Sequence, residues 1–158
     1  WLMLAALAYK ESGLNPNVRS NRGAVGIMQL LPSTGGEVGI RGARLTSLEG
    51  SVEAACRYMR LILDTYFNDP GMDRLNRHLF ALAAYNAGPN RVQALQARAR
   101  ERGLDPNVWF GNVEQLVANE VGQGPINYVG TIYKYYVAYR FSLPQLEGKS
   151  EAIEAAQP

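Results

Sequence analysis

Glu11 closes an apolar helical run, Leu2-Met3-Leu4-Ala5-Ala6-Leu7-Ala8-Tyr9, where the chain turns into Gly13-Leu14-Asn15-Pro16-Asn17. A carboxyl in that position is partly desolvated. Desolvation raises its pKa, keeps it protonated near neutral pH and lets it act as a general acid. Taken alone, Glu11 is equally an ordinary helix-end glutamate. Two later segments set it apart: Gly26-Ile27-Met28-Gln29-Leu30-Leu31-Pro32-Ser33-Thr34 and Ala83-Ala84-Tyr85-Asn86-Ala87-Gly88. The other acids lack such a setting. Glu37, Glu49 and Glu53 read as surface or helix flank, and Asp64, Asp69 and Asp73 sit at a helix end and in a turn.

Glu11-Ser12, the Gly-x-Met-Gln-Leu-x-Pro-x-Thr block and Ala-Tyr-Asn-Ala-Gly, followed by Ile126-Asn127-Tyr128-Val129, occur here in order. In that order they resemble the catalytic domain of the soluble lytic transglycosylase family. Trp109-Phe110-Gly111-Asn112-Val113-Glu114 and the stretch Tyr128 to Tyr139 are most similar to the membrane-bound F branch of murein transglycosylases. The resemblance runs over residues 1 to 141. It implies a lysozyme-like fold, close to the goose-type lysozymes, with a substrate groove and peptidoglycan glycan strands as the partner.

The resemblance also implies a mechanism. Most glycosidases use two carboxyl groups, and substrate-assisted enzymes are an exception. Glu11 would protonate the oxygen linking N-acetylmuramic acid to N-acetylglucosamine while the muramic acetamide closes on its own anomeric carbon. The same group, now an anion, would take the proton of the 6-hydroxyl, and a 1,6-anhydro end would form without water. Ser12 would bond the acid or the sugar, or simply end the first helix. Met28 would be an apolar groove wall, and the Gln29 amide would hold Glu11 or a sugar hydroxyl. Tyr85 and Asn86 would stand near the cleavage point, or else pack and cap a helix. Tyr128 would support the acetamide or the reacting hydroxyl. Where relatives carry Glu-Thr shortly before that tyrosine, this chain has Gly124-Pro125, and Glu120 lies one turn earlier. Two alternatives stand beside this reading: a hydrolytic lysozyme of the same fold, and a peptidoglycan-binding module without chemistry.

The bulk numbers set limits. A chain of 158 residues with 47% hydrophobic content is one domain that can bury a core. The net charge of +2 gives no argument for nucleic acid. Arg91, Arg98, Arg100 and Arg102 read as a solvated helix face. The single Cys56 forms no internal disulfide and is expected as a small buried residue in a helix. The single His78 has no companion ligands, so neither metal nor cofactor is expected. No apolar run is long enough to span a membrane. The chain opens inside a helical pattern, so it is expected to be a fragment; the resemblance to the F branch implies that the missing N-terminal part carries an anchor and a solute-binding-like regulatory domain. Its expected place is the periplasm, at the outer membrane.

The pattern is all-α, a single helical domain over residues 1–143 that the resemblance makes lysozyme-like, followed by a polar tail, 144–158, expected as a disordered segment or a short helix. Helices are expected at about Leu2–Ser12, from Pro32, and at Leu48–Phe67, the longest. Further helices are expected from Asp73 to Asn86, at Asn90–Arg102, at Val113–Val121 and at Pro125–Arg140. Leu75, Leu79, Leu82 and Ala83 should be buried. A β-hairpin at Asn21 to Ile27 is compatible with the turn residues there. Tyr128, Ile132, Tyr135, Tyr136 and Tyr139 recur at helical spacing and read as core.

Overall fold

Leu2–Ser12 forms α1, whose Ala6, Leu7 and Ala8 are buried. Gly13 ends it in the left-handed region at φ 62°, its N–H donating to the Tyr9 carbonyl at 2.9 Å. This computed structural model describes the backbone of residues 1–155 and the side chains of residues 1–145. After α1 the chain crosses residues 13–31 without regular structure. The expected hairpin is reduced to isolated bridges, Arg19 with Val25 and Val25 with Leu30. Pro32 starts the short α2 (Pro32–Glu37), where its missing N–H is no loss, and α3 (Gly42–Thr46) follows.

Ser47 caps α4 (Leu48–Thr65), its Oγ accepting the Gly50 N–H at 3.1 Å. Asp73 caps α5 (Arg74–Ala87), accepting the Asn76 N–H at 2.8 Å. Residues Leu79 through Ala84 are all buried, which makes α5 the central helix. α4, α6 (Pro89–Glu101) and α8 (Gln123–Ala155) pack around it. Phe67 stacks on Phe80 with ring centroids 5.4 Å apart, and Trp109 meets Phe80 edge-on at 5.4 Å. Full burial of side chains of this size stabilises by about 1.5–3 kcal/mol each. Trp109–Val113 is a wide irregular turn leading into α7 (Glu114–Glu120), broken by Phe110 and by Gly111 at φ 74°.

Several expectations are corrected. α8, with 33 residues, is longer than the 18-residue α4. It does not stop near Arg140 but carries Pro144 inside it. A proline removes one ladder bond, but Leu146, Glu147, Glu151, Ala152, Glu154 and Ala155 beyond it favour helix. Of the two readings of the tail, disordered or a short helix, the backbone is helical as far as Ala155, continuous with α8, and residues 156–158 lie outside the described part. Leu75 is 39% exposed rather than buried. Cys56 is also exposed: it lies on the apolar side of α4, but there it lines an open groove with Met59, Leu63 and Leu7.

α1 and α8 run antiparallel, and this arrangement builds the site. Tyr9 packs edge-on against Tyr135 with centroids 4.8 Å apart, while the end of α1 meets the start of α8. The expected tyrosine stripe is core only in part. Tyr128 and Ile132 are buried, whereas Tyr135, Tyr136 and Tyr139 are half-buried.

Candidate active site

Glu11 lies in the last turn of α1 and is half-buried. The Tyr128 hydroxyl, 117 residues away in the first turns of α8, donates to its Oε1. Burial raises the Glu11 pKa above the usual carboxyl range; the Tyr128 hydrogen bond and the charge of Lys10 pull it partly back. Among the described residues, Lys10 and Tyr128 are the side chains that act on it, and no second carboxylate does. Burial, then the Glu11 charge and hydrogen bond, push the Tyr128 hydroxyl well above its ordinary value, so it stays a donor. Tyr85 is pushed the same way by burial and then by Glu11.

Beside this pair the chain folds the Gly26–Gln29 turn, and four side chains hold it by its backbone. Ser12 Oγ donates to the Ile27 carbonyl at 2.8 Å, and Tyr85 donates to the Met28 carbonyl at 2.8 Å. The Met28 N–H donates to Ser51 Oγ at 3.3 Å. Gln29 Nε2 donates to the Val18 and Gly26 carbonyls at 3.0 and 2.9 Å. Gly26 is at φ 76°, and a Cβ there would stand 2.7 Å from Ser51 Oγ. Gln29 itself sits at φ 48°, an uncommon conformation for a residue with a side chain.

This geometry revises several sequence-based roles. Met28 is fully buried, so its side chain is core and not a groove wall; only its backbone faces the site's polar groups. The Gln29 amide N–H groups are bound to the backbone and do not reach Glu11. Ser12 bonds the turn and the Ala8 carbonyl rather than the acid. Asn86 is exposed in the last turn of α5, with Gly88 and not Asn86 at the helix cap. Glu120 does not support Tyr128: its carboxylate pairs with Arg98, which ties α6 to α7. Gly124 and Pro125 simply enter the first turn of α8, so Tyr128 reaches Glu11 without a carboxylate behind it.

Sequence reasoning missed Ser51 and Tyr58. Ser51 is fully buried on the same face of α4 as Ala54, Ala55 and Ile62, and a serine on an apolar stripe was the available signal. Tyr58 packs against Tyr85 with centroids 5.5 Å apart, and burial, then Glu37, raise its hydroxyl pKa. Among the described residues no cluster of His, Cys, Asp or Glu could hold a metal. No helix among them is long and apolar enough to cross a membrane.

Fold and site together define a lysozyme-like helical domain built around the partly buried acid Glu11. The chain belongs to the transglycosylase SLT domain family, whose model matches residues 1–107. It is 33% identical over 149 residues to the membrane-bound lytic murein transglycosylase F of Shewanella sediminis, covering 86% of this chain and 30% of that protein. It is 29% identical over 164 residues to the protein of that name from Pseudomonas putida, covering 94% of this chain and 33% of that protein. The chain thus spans about a third of these relatives' length. The 70 kDa soluble lytic transglycosylase of Escherichia coli shares the fold with a TM-score of 0.61 at 23% identity, covering 90% of this chain and 22% of that one.

Proposed function

We propose that this chain is a lytic transglycosylase domain acting on peptidoglycan. It cleaves the β-1,4 bond between N-acetylmuramic acid and N-acetylglucosamine without water and leaves 1,6-anhydromuramyl ends. The observation that carries this reading is the Glu11–Tyr128 contact: one carboxyl, its pKa raised by burial, hydrogen-bonded by a tyrosine that stays protonated.

Each step follows from that contact. A raised pKa favours the protonated form of Glu11, the form that donates to the leaving oxygen. The carboxylate left behind accepts the Tyr128 hydrogen bond, which offsets the cost of a charge in a half-buried place. The absence of a second carboxylate around Glu11 fits an internal nucleophile, the substrate's acetamide, better than an activated water. Glu11 then takes the proton of the 6-hydroxyl that closes the anhydro ring. The exposed Asn86 amide is free to orient the acetamide, and the held Gly26–Gln29 turn forms one wall.

The relatives are named membrane-bound and murein-directed, which supports a membrane-associated place at the cell wall for the whole protein; the periplasm at the outer membrane is the place we propose. Mass spectrometry of products from purified peptidoglycan tests the reaction. Anhydro products are lighter by one water than hydrolytic ones. They are expected from the unsubstituted chain and not from Glu11→Gln, with a loss of about 10²-fold or more. Reducing-end products would make the domain a lysozyme, and glycan binding without cleavage would make it a binding module.

A further inference from the structure

At the end of α1 opposite Glu11 a cleft of about 570 Å³ opens between α1, α5 and α8. Trp1, Arg74, Leu75, His78, Tyr136 and Arg140 line it, and no acidic side chain among the described residues does. Neither Arg74 nor Arg140 has a carboxylate partner among the described residues, unlike Arg44, Arg57, Arg60, Arg77 and Arg98. Asp73, next to Arg74 in the chain, spends its carboxylate on the Asn76 N–H and side-chain amide at 2.8 and 2.7 Å. The Arg140 guanidinium lies 5.8 Å from the centroid of the Tyr136 ring, with its Nη1 3.5 Å from that hydroxyl, so the aromatic wall holds it in place. His78 Nδ1 lies 2.6 Å from the Arg74 carbonyl, which makes that nitrogen the donor and leaves Nε2 for a ligand.

We propose that this cleft binds the carboxylate of a peptide, namely the stem peptide carried by the muramic acid of the wall polymer. Arg74 and Arg140 take the carboxylate, and Trp1 and Tyr136 flank the adjoining side chain. Guanidinium pairs matched to a carboxylate are the strong, directional form of such recognition. The inference rests on the proposed peptidoglycan substrate and adds to it a site for the peptide. Reach is sufficient. Tyr128 to Arg140 on α8 is twelve residues, about 18 Å along the axis, which a fully extended five-residue stem spans. A stem of four or five residues extends up to about 13–18 Å.

Calorimetric titration of the 158-residue chain with the free stem tetrapeptide, the same peptide with its carboxylates amidated, and inorganic phosphate tests this. The amidated peptide is expected to bind about tenfold more weakly or worse, the usual scale for losing a charged hydrogen bond. Arg74→Gln/Arg140→Gln should abolish that difference while cleaving stem-free glycan strands at the unsubstituted rate. Equal binding of the two peptides, or binding unchanged in the double variant, overturns the proposal. So does phosphate displacing the peptide at equal concentration, which would reduce the cleft to a general anion site. A chain that binds the tetrapeptide through these arginines but cleaves no glycan would overturn the catalytic reading alone.

Discussion

At the scale of single residues, Glu11 is subject to opposed influences: burial favours its protonated form, and Tyr128 favours its carboxylate. Tyr128→Phe removes the second. The Glu11 pKa should then rise further, so the alkaline limb of kcat/KM against pH moves to higher pH, because the acid must be protonated to start the cycle. The carboxylate formed in the first step loses a hydrogen bond to a charged group, on the order of 1.5–3 kcal/mol, so kcat should fall about tenfold or more. A variant with an unmoved pH profile would place Tyr128 outside the acid's control. Glu120 gives the converse test. Its partner is Arg98 on an exposed face, so Glu120→Gln should leave kcat unchanged and alter stability by less than about 1 kcal/mol in thermal unfolding. A large loss of activity would revive it as the missing support for Tyr128.

At the scale of elements, the Gly26–Gln29 turn is the part most exposed to substitution. Gly26→Ala adds a Cβ at φ 76° and drives it against the fully buried Ser51. Strain of this kind costs about 1–3 kcal/mol, so a lowered urea midpoint is expected, together with a fall in kcat as the turn shifts. An unaltered midpoint would mean that the turn is loosely held. The turn also shows where sequence reading stops. α1 and the Asp73 cap were legible because each rests on neighbours in the chain: an apolar run closed by glycine, and an aspartate three residues before its donor. The directions of Met28 and Gln29 were not, because a positive φ at Gln29 and the bond that the Met28 N–H donates to Ser51 turn them inward. The Glu11–Tyr128 contact joins residues 117 apart, and no local pattern reports it; the helix-end setting marked Glu11 as a candidate acid, and resemblance alone marked Tyr128 as a site residue.

At the scale of the whole molecule, the all-α class was readable from periodicity, but the cost of keeping the acid is visible only in the fold. The folded-state pKa of Glu11 is raised. Between the usual glutamate value and the raised one, the folded chain holds a proton that the unfolded chain has released. Stability therefore falls as pH rises through that window, stays lowered above it, and carries no such loss below the usual value. Glu11→Gln removes the titrating group and keeps an oxygen to accept the Tyr128 hydrogen bond. The variant should have a higher Tm than the unsubstituted chain at pH 7, with the gap closing as pH drops below the usual carboxyl range. Scanning calorimetry of both proteins across pH checks this. A variant less stable at pH 7, or a gap that ignores pH, would mean that the folded chain bears no penalty for its acid and that burial does not set the chemistry of Glu11.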